Sequence, residues 1–101
     1  MEIEKALKYS RLLDFYGNLL TDKQREVASM LFFDDISLSE IAGLNGLTRQ
    51  AVFDLVRRVK SILDDYENKL GLYGKYIESK KFLEKHLNED SLSCFSKIWE
   101  N

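Results

Sequence analysis

The chain has 101 residues, of which 45% are hydrophobic and 12% aromatic, so it can bury a core and wholesale disorder is excluded. Its 15 basic and 17 acidic residues give a formal net charge of −2, which argues against a strong non-specific nucleic-acid binder. One cysteine excludes a disulfide framework within the chain, and no apolar run approaches the ~18 residues of a membrane span. With no proline and only five glycines, little interrupts helix formation.

The first third of the chain predicts two helices. Apolar residues recur at helical spacing, which favours a first helix over about Ile3 to Tyr16. Thr21 is a good N-cap for a second helix, in which Val27 faces the core. Asp34-Asp35 then makes a polar break. The second helix is expected to support the segment that follows this break.

The segment from Ser37 to Leu70 has the pattern of a short helix, a tight turn and a longer helix. Ser37 can cap the short helix, and Glu40 can complete a capping box with it. Asn45-Gly46 ends this helix, because both residue types tolerate a left-handed backbone. Thr48 is suited to cap the next helix. This pattern is typical of a helix-turn-helix, whose second helix is offered to a groove of a nucleic acid.

A helical wheel separates the longer helix into an apolar sector roughly 120° wide and a polar side. Arginine and glutamine on the polar side can each make two parallel hydrogen bonds to base edges, which suits major-groove recognition. The alternative is an ordinary solvated helix face, but the turn chemistry beside it favours a binding face. The candidate nucleic-acid contacts are Thr48, Arg49, Gln50, Phe53, Asp54, Arg57, Arg58 and Lys60.

The apolar sector of this helix continues far beyond a minimal recognition helix and ends near Gly71, a plausible C-cap. A helix from Arg49 to Leu70 would span roughly 33 Å. Its outer half must bury its apolar side chains against the C-terminal part of the chain or against a second copy. We therefore expect a homodimer, with packing of the tail as the other possibility. The residues concerned are Ile62, Leu63, Tyr66 and Leu70.

Charge is distributed unevenly along the chain. Residues 1–47 hold five basic and eight acidic groups (−3), residues 48–60 hold four and one (+3), and residues 61–101 hold six and eight (−2). The basic island therefore coincides with the candidate recognition helix. It would neutralise few phosphates, so binding should be modest and salt-sensitive unless two copies act together.

The C-terminal region predicts two further helices, separated by a break at Asn88-Glu89-Asp90. Ser91 could cap the last one, which carries Leu92, Phe95, Ile98 and Trp99 on one side. A tryptophan near a terminus is expected to dock rather than stay in water. We predict a helix-turn-helix domain with a long fourth helix over residues 1–71, and a helical extension over residues 72–101 that packs on it or on a dimer partner.

The sequence shows no group of residues that is typical of a catalytic or metal-binding site. His86 is the single histidine and lies eight residues from Cys94 across the predicted break, so a Cys–His dyad or a histidine metal set has little support. We predict no enzyme activity, no cofactor and no metal. Cys94 is expected to be a small hydrophobe in a helix. The lone cysteine, and the lack of a signal-peptide layout at the N-terminus, favour a reducing cytoplasm.

Four blocks of the sequence, in register over about residues 7 to 83, strongly resemble the YlxM family of small bacterial proteins. The match is specific because the four blocks fall in order, whereas the stretch after His86 carries no assignable motif. The blocks are Leu13-Asp-Phe-Tyr-Gly-Asn-Leu-Leu-Thr-Asp-Lys-Gln-Arg-Glu26, Ser37-Leu-Ser-Glu-Ile-Ala42, Thr48-Arg-Gln-Ala-Val-Phe-Asp54 and Asp65-Tyr-Glu-Asn-Lys-Leu-Gly-Leu-Tyr73.

The resemblance implies an all-α helix-turn-helix bundle similar to the promoter-reading fourth region of sigma factors. Genes of the family lie beside those for the signal recognition particle GTPase and its receptor, which implies a role in that pathway. The resemblance does not decide between DNA, the particle's RNA and a protein as the target. We favour DNA binding, with RNA possible. The alternative is a non-catalytic module that binds a protein component of the particle. The motif gives the recognition role to Thr48, Arg49, Gln50, Phe53, Asp54 and Arg57.

Overall fold

The computed structural model describes residues 2–86 and 89–99, with side chains described for residues 7–86, 90 and 93–99. These residues form six α-helices and one 3-10 turn without any strand, which confirms the all-α prediction. Leu87 and Asn88, and the side chains of Ile3, Ser91 and Leu92, lie outside the described residues. The helices are α1 (Glu2–Tyr16), α2 (Asp22–Phe32), α3 (Leu38–Asn45), α4 (Arg49–Leu70), α5 (Leu72–His86) and α6 (Glu89–Ile98), with the 3-10 turn at Gly17–Leu19.

The start of α2 is fixed by a complete capping box. The Thr21 hydroxyl accepts from the Gln24 amide at 3.2 Å, and the Gln24 side chain accepts from the Thr21 amide at 3.1 Å. The sequence predicted Thr21 as a simple N-cap, and it predicted the reciprocal box at Ser37 instead. At Ser37 the structure shows the cap alone, so the capping box prediction is wrong there. The helix α2 starts at Asp22, directly after the Thr21 cap.

The buried side chains form two clusters, and α4 contributes to both. The first cluster joins α1 and α2 to the outer half of α4, and the second joins α2 and α3 to its inner half. This division explains why α4 is long, since each half covers a different neighbour. The first cluster contains Leu12, Leu13, Tyr16, Leu20, Ala28, Val59 and Leu63, and the second contains Val27, Ile41, Ala42, Val52 and Val56.

The outer half of α4 packs mainly against α1, a partner that the sequence analysis did not consider. Leu63 is fully buried in the first cluster, and Ile62 packs against it. The Tyr66 ring stacks on the Tyr16 ring with a centroid distance of 5.8 Å. Leu70 is 47% exposed. The first cluster thus covers this face mainly with α1, and Leu72 and Tyr73 at the start of the predicted extension pack against the same cluster.

Gly71 ends α4 with a left-handed backbone (φ 62°), as the C-cap prediction required, and α5 begins at the next residue. The end of α6 is joined to α1 by aromatic contacts. The ring centroid of Trp99 lies 5.9 Å from that of Phe15, so the tryptophan docks within the same chain. One local prediction fails here, because the helix α6 begins at Glu89 rather than at a Ser91 cap. Cys94 lies in α6, a helix as expected, and its side chain is exposed.

Candidate nucleic-acid interface

The first helix of the motif, α3, is defined at its N-terminus by Ser37. Its hydroxyl accepts from the Glu40 amide at 3.2 Å while its backbone stays extended. Ile41 and Ala42 then bury their side chains in the second cluster. Because Ala42 is small, α3 can approach α4 closely. The apolar stripe predicted from the sequence is thus the surface that holds the two helices together.

The turn between α3 and α4 depends on Gly46. Its φ of 65° lies in the left-handed region, where glycine is far less strained than other residues. The Leu47 amide then donates to the Ala42 carbonyl at 2.9 Å and closes the turn. Asn45 remains helical, and its side chain connects the turn to α2: its amide nitrogen donates to the Ile41 carbonyl, and its oxygen accepts from Lys23 at 2.6 Å.

Thr48 begins α4. Its hydroxyl oxygen accepts from the Ala51 amide at 3.0 Å, so the predicted N-cap is present. Val52 and Val56 follow on the buried side and pack with Ile41 of α3. These contacts fix the rotation of α4 about its own axis, because turning it would expose both valines. The opposite side of the helix consequently faces outward.

The outward face of α4 carries most of the predicted contact residues. Arg49, Arg57 and Arg58 make no ion pair or hydrogen bond with any described side chain. Their guanidinium groups therefore present their donors to solvent or to a ligand. Those of the predicted residues that are exposed are Thr48, Arg49, Gln50, Phe53, Asp54, Arg57 and Arg58.

Three of the predicted contact residues either bond to a neighbouring side chain or are partly buried. The Gln50 amide donates to Asp54 at 3.1 Å along the helix, so these side chains are already oriented towards each other. Lys60 is half-buried, and its ammonium lies 5.3 Å from the ring centroid of Tyr9 on α1. The structure thus places Lys60 at the margin of the face, whereas Arg49, Gln50 and Arg57 lie within it.

An apolar cleft beside the face was missed by the sequence analysis. It has a volume of about 200 Å³ and lies where α2, α3 and α4 meet. Phe53 is 44% exposed and forms one wall, opposite Leu31 and Leu38. A phenylalanine on the polar side of the wheel was visible in the sequence, but its apolar neighbours on two other helices were not. Arg57 and Lys60 complete the rim.

In the described part of the chain, no three side chains of the types His, Cys, Asp or Glu come together as a metal-binding group. None of the described helices is both long and apolar enough to span a bilayer.

Residues 3–98 match the model of the UPF0122 family, which is described as "Putative helix-turn-helix protein, YlxM / p13 like". The chain belongs to this family. The family description agrees with the geometry of α3, the Gly46 turn and α4. It also agrees with the resemblance drawn from the four sequence blocks.

Curated relatives from streptococci support the assignment. A UPF0122 protein of Streptococcus gordonii is 47% identical over 85 residues, which cover 84% of this chain and 77% of the relative. A UPF0122 protein from Streptococcus pneumoniae serotype 19F is 44% identical over 96 residues, which cover 91% of this chain and 87% of the relative. Another, from Streptococcus pneumoniae strain Hungary19A-6, is 49% identical over 77 residues, which cover 76% of this chain and 70% of the relative. The similarity therefore includes the whole helix-turn-helix and much of the C-terminal region.

Proposed function

We propose that this protein is a non-catalytic regulator that binds duplex DNA through the exposed face of α4. The observation that carries the proposal is the group of guanidiniums of Arg49, Arg57 and Arg58, which pair with none of the described side chains and lie on the solvent side of a helix whose other side packs in the core. A helix held in this way can enter a major groove as a rigid body. Membership of a helix-turn-helix family supports the same function.

The positions along α4 divide the proposed contacts into two kinds. Arg49 and Gln50 lie in the first turn, where a recognition helix places its base-reading residues. The positive end of the helix dipole lies at the same place and favours a nearby phosphate. Arg57 and Arg58 lie two turns further on and would contact the DNA backbone. Thr48 accepts one bond as a cap, and its hydroxyl proton can still donate to a phosphate.

Phe53 and Asp54 give the face chemical selectivity beyond charge. A phenylalanine ring can pack against the methyl group of thymine, and a carboxylate can accept from the amino group of cytosine. The Gln50 amide holds Asp54 in place at 3.1 Å. A negative group in this position would also weaken non-specific attraction to phosphates. We therefore propose sequence-dependent binding of modest overall strength.

Groove geometry favours DNA over double-stranded RNA. The major groove of B-form DNA is wide enough for an α-helix, whereas that of A-form RNA is deep and narrow. An exposed helix face is therefore a better match to DNA. RNA would have to offer a widened groove or an unpaired loop to use the same side chains.

A homodimer remains part of the proposal, although its original reason is gone because α1 covers the outer half of α4. One monomer presents few cations, and two copies would double the phosphate contacts. Recognition helices about 34 Å apart would match successive major grooves. Phe82 (62% exposed) and Ile98 (77% exposed) offer apolar surface for self-association. Light scattering that shows only monomer at micromolar concentration would remove this part.

The wider biological role is proposed from the family resemblance. Genes of the family lie beside those of the signal recognition particle GTPase and its receptor, so we propose that the protein takes part in that pathway within the cytoplasm. DNA binding would then act on expression of the pathway's genes. This part of the proposal does not depend on any single residue of the interface.

The test is a binding measurement with a duplex that the protein itself selects from a random-sequence library. Arg49→Ala combined with Arg57→Ala should lower affinity at least tenfold in fluorescence anisotropy. It should also reduce the slope of log affinity against log salt by about 1 for each lost phosphate contact. Lys69→Ala with Lys75→Ala removes two exposed cations elsewhere and is the matched control. Equal affinity of the two double variants would refute the proposed interface.

The second candidate function is a protein-interaction module that binds a protein of the signal recognition particle. The apolar cleft around Phe53 favours it, because an exposed ring facing Leu31 and Leu38 suits an apolar side chain of a partner. Partners that are retained after nuclease treatment and at high salt, and lost with Phe53→Ala, would support this function. Partners released by nuclease or salt would support nucleic-acid binding.

A further inference from the structure

A second cleft lies at the far end of the molecule, where α1, α5 and the end of α6 meet. Its volume is about 460 Å³, which falls within the range of small-molecule sites. Aromatic side chains supply much of its wall, and both cations and a carboxylate lie among its lining residues. Tyr16, next to Phe15 in the chain, bonds to Glu67 near the C-terminal end of α4, and α5 begins just after α4 ends, so the cleft lies at the opposite end of α4 from Arg49. It is therefore separate from the proposed DNA interface.

The aromatic wall is formed by Phe15 of α1, Tyr73 and Tyr76 of α5, and Trp99. The centroid of Tyr76 lies 5.6 Å from Phe15 and 5.7 Å from Trp99, with both pairs edge to face. These contacts hold α5 and α6 against α1. Each of the rings is nevertheless only half-buried, so aromatic surface remains open towards the cleft. The Tyr76 ring already stacks on Phe95 with a centroid distance of 5.9 Å, so the ring left for a planar ligand is that of Trp99.

Two cations belong to the same cleft, Arg11 of α1 and Lys80 of α5. Arg11 lies 4.0 Å from the Asp14 carboxylate, and both side chains are at least half exposed, so this pair is weak and readily exchanged. The Lys80 ammonium lies 6.0 Å from the Tyr76 centroid, next to the wall on which a ligand would stack. Among the described residues that line the cleft, these two positive charges exceed the single negative charge of Asp14. An anionic group is therefore the complementary ligand group.

We propose that this cleft binds a nucleoside monophosphate unit, with its base on Trp99 and its phosphate on Arg11 and Lys80. A purely apolar ligand would make no use of the Lys80 ammonium, and an inorganic anion would leave the aromatic wall unused. A nucleotide satisfies both features at once. The unit can come from a free mononucleotide or from an unpaired position in an RNA strand. This site would act independently of duplex binding by α4.

Trp99 makes the proposal directly measurable, because it is the single tryptophan of the chain. Its emission should be quenched saturably by guanosine monophosphate when it is excited at the red edge of its absorption, where tyrosine and the base absorb little. Inorganic phosphate and guanosine are the two controls, because each represents one part of the nucleotide. Each should bind at least tenfold more weakly than guanosine monophosphate. Phosphate that binds as well as the nucleotide would overturn the assignment to a nucleotide.

Arg11→Ala with Lys80→Ala should weaken binding of guanosine monophosphate at least tenfold, while the emission spectrum without ligand stays unchanged and shows Trp99 still docked. Lys85→Ala, an exposed position on the same helix outside the cleft, is the control, and Arg11→Lys should restore part of the affinity. A short single-stranded RNA that binds at least tenfold tighter identifies a strand as the source, and equal affinity identifies the free nucleotide. No quenching by either probe, or quenching unaffected by the double variant, would refute the site.

Discussion

The Tyr16 hydroxyl donates a hydrogen bond to Glu67 Oε1 over 2.6 Å, although the two residues lie 51 positions apart in the sequence. The same oxygen of Glu67 accepts from the Tyr73 amide at 3.1 Å, and its Oε2 accepts from the Gly74 amide at 3.0 Å. The Leu72 amide donates to the Tyr16 hydroxyl oxygen at 3.1 Å. Tyr16 and Glu67 thus accept hydrogen bonds from three backbone amides at the start of α5. Amides in the first turn of a helix have no carbonyl partner within the helix. It joins α1, α4 and α5 at one point.

Removal of either partner should destabilise the protein. Tyr16→Phe should lower the free energy of unfolding by about 1.5–3 kcal/mol, because a buried hydrogen bond to a charged group is lost. Glu67→Gln should act in the same direction. The double variant should cost clearly less than the two single changes together, since both break one network. Urea unfolding followed by circular dichroism measures all three.

Tyr66→Phe is the control for this cycle. The Tyr66 ring stacks on Tyr16, but its hydroxyl has no partner among the described residues. Its removal should change the free energy of unfolding by less than about 0.5 kcal/mol. Strict additivity of Tyr16→Phe and Glu67→Gln would contradict the capping role.

Stability should fall at alkaline pH because two tyrosines hold their protons more tightly when folded. Burial, the hydrogen bond to Asp64 and the charge of Asp64 raise the pKa of Tyr9 to about 12. Burial, followed by the hydrogen bond to Glu67, raises the pKa of Tyr16. A phenol whose pKa is raised by folding stabilises the folded state fully below its unfolded pKa of about 10. That contribution is lost as the pH rises from there through about 12.

The measurement is the free energy of unfolding of the wild type and Tyr9→Phe between neutral pH and the pH range above 10. The difference between the two proteins should be constant below about pH 10 and should shrink above it. Lysines titrate in the same range in both proteins, so they cancel in the comparison. A difference that stays constant up to pH 12 would contradict the raised pKa of Tyr9.

The two glycines of α3 and its turn should respond to alanine with opposite signs. Gly46 has a φ of +65°, and a Cβ there would meet no atom within 4 Å, so Gly46→Ala should destabilise by about 1 kcal/mol through backbone strain alone. Gly43 is helical and equally uncrowded, so Gly43→Ala should stabilise by up to about 1 kcal/mol. Thermal unfolding distinguishes the two. Stabilisation by Gly46→Ala would mean that the turn is not left-handed.

The burial of the outer half of α4 within one chain can be tested at Leu63. Leu63→Ala should cost about 2–5 kcal/mol, because a fully buried leucine leaves a cavity against α1. Leu70→Ala should cost less than about 1 kcal/mol, since Leu70 is 47% exposed. The difference between the urea midpoints of the wild type and Leu63→Ala should be the same at widely different protein concentrations, because a dimer formed through Phe82 and Ile98 would shift both proteins alike. A difference that grows strongly with concentration would show that the Leu63 face lies between two chains.

The sequence predicted the parts of the structure that are governed by neighbours along the chain. Thr48 as a cap, Gly46 as a turn and Gly71 as a C-cap each depend on a few adjacent residues, and the structure has all three. The apolar and polar sides of α4 follow from its periodicity alone. For the same reason the failed capping box at Ser37 is a small miss, because the cap itself is present.

Apart from the capping box at Thr21, the contacts that sequence reasoning missed join distant segments. Nothing near Leu63 in the sequence indicates that α1 is its partner. The periodicity of α4 shows which side is buried but not which helix covers it. The cleft around Phe53 needs side chains from three helices, and the aromatic cleft needs Phe15 beside Trp99. Sequence separation of this size leaves no periodic signal. The outward side of α4 was therefore predictable, whereas the side chains that surround it were not.

The central claim is that the outward face of α4 contacts DNA, and crosslinking in cells tests it most directly. A photo-reactive amino acid at position 53 should form adducts with DNA, and sequencing should recover a shared site. The same amino acid at position 69, at the far end of α4, should recover little DNA. Adducts at position 53 that consist of protein and resist nuclease, without recovered DNA, would contradict the account.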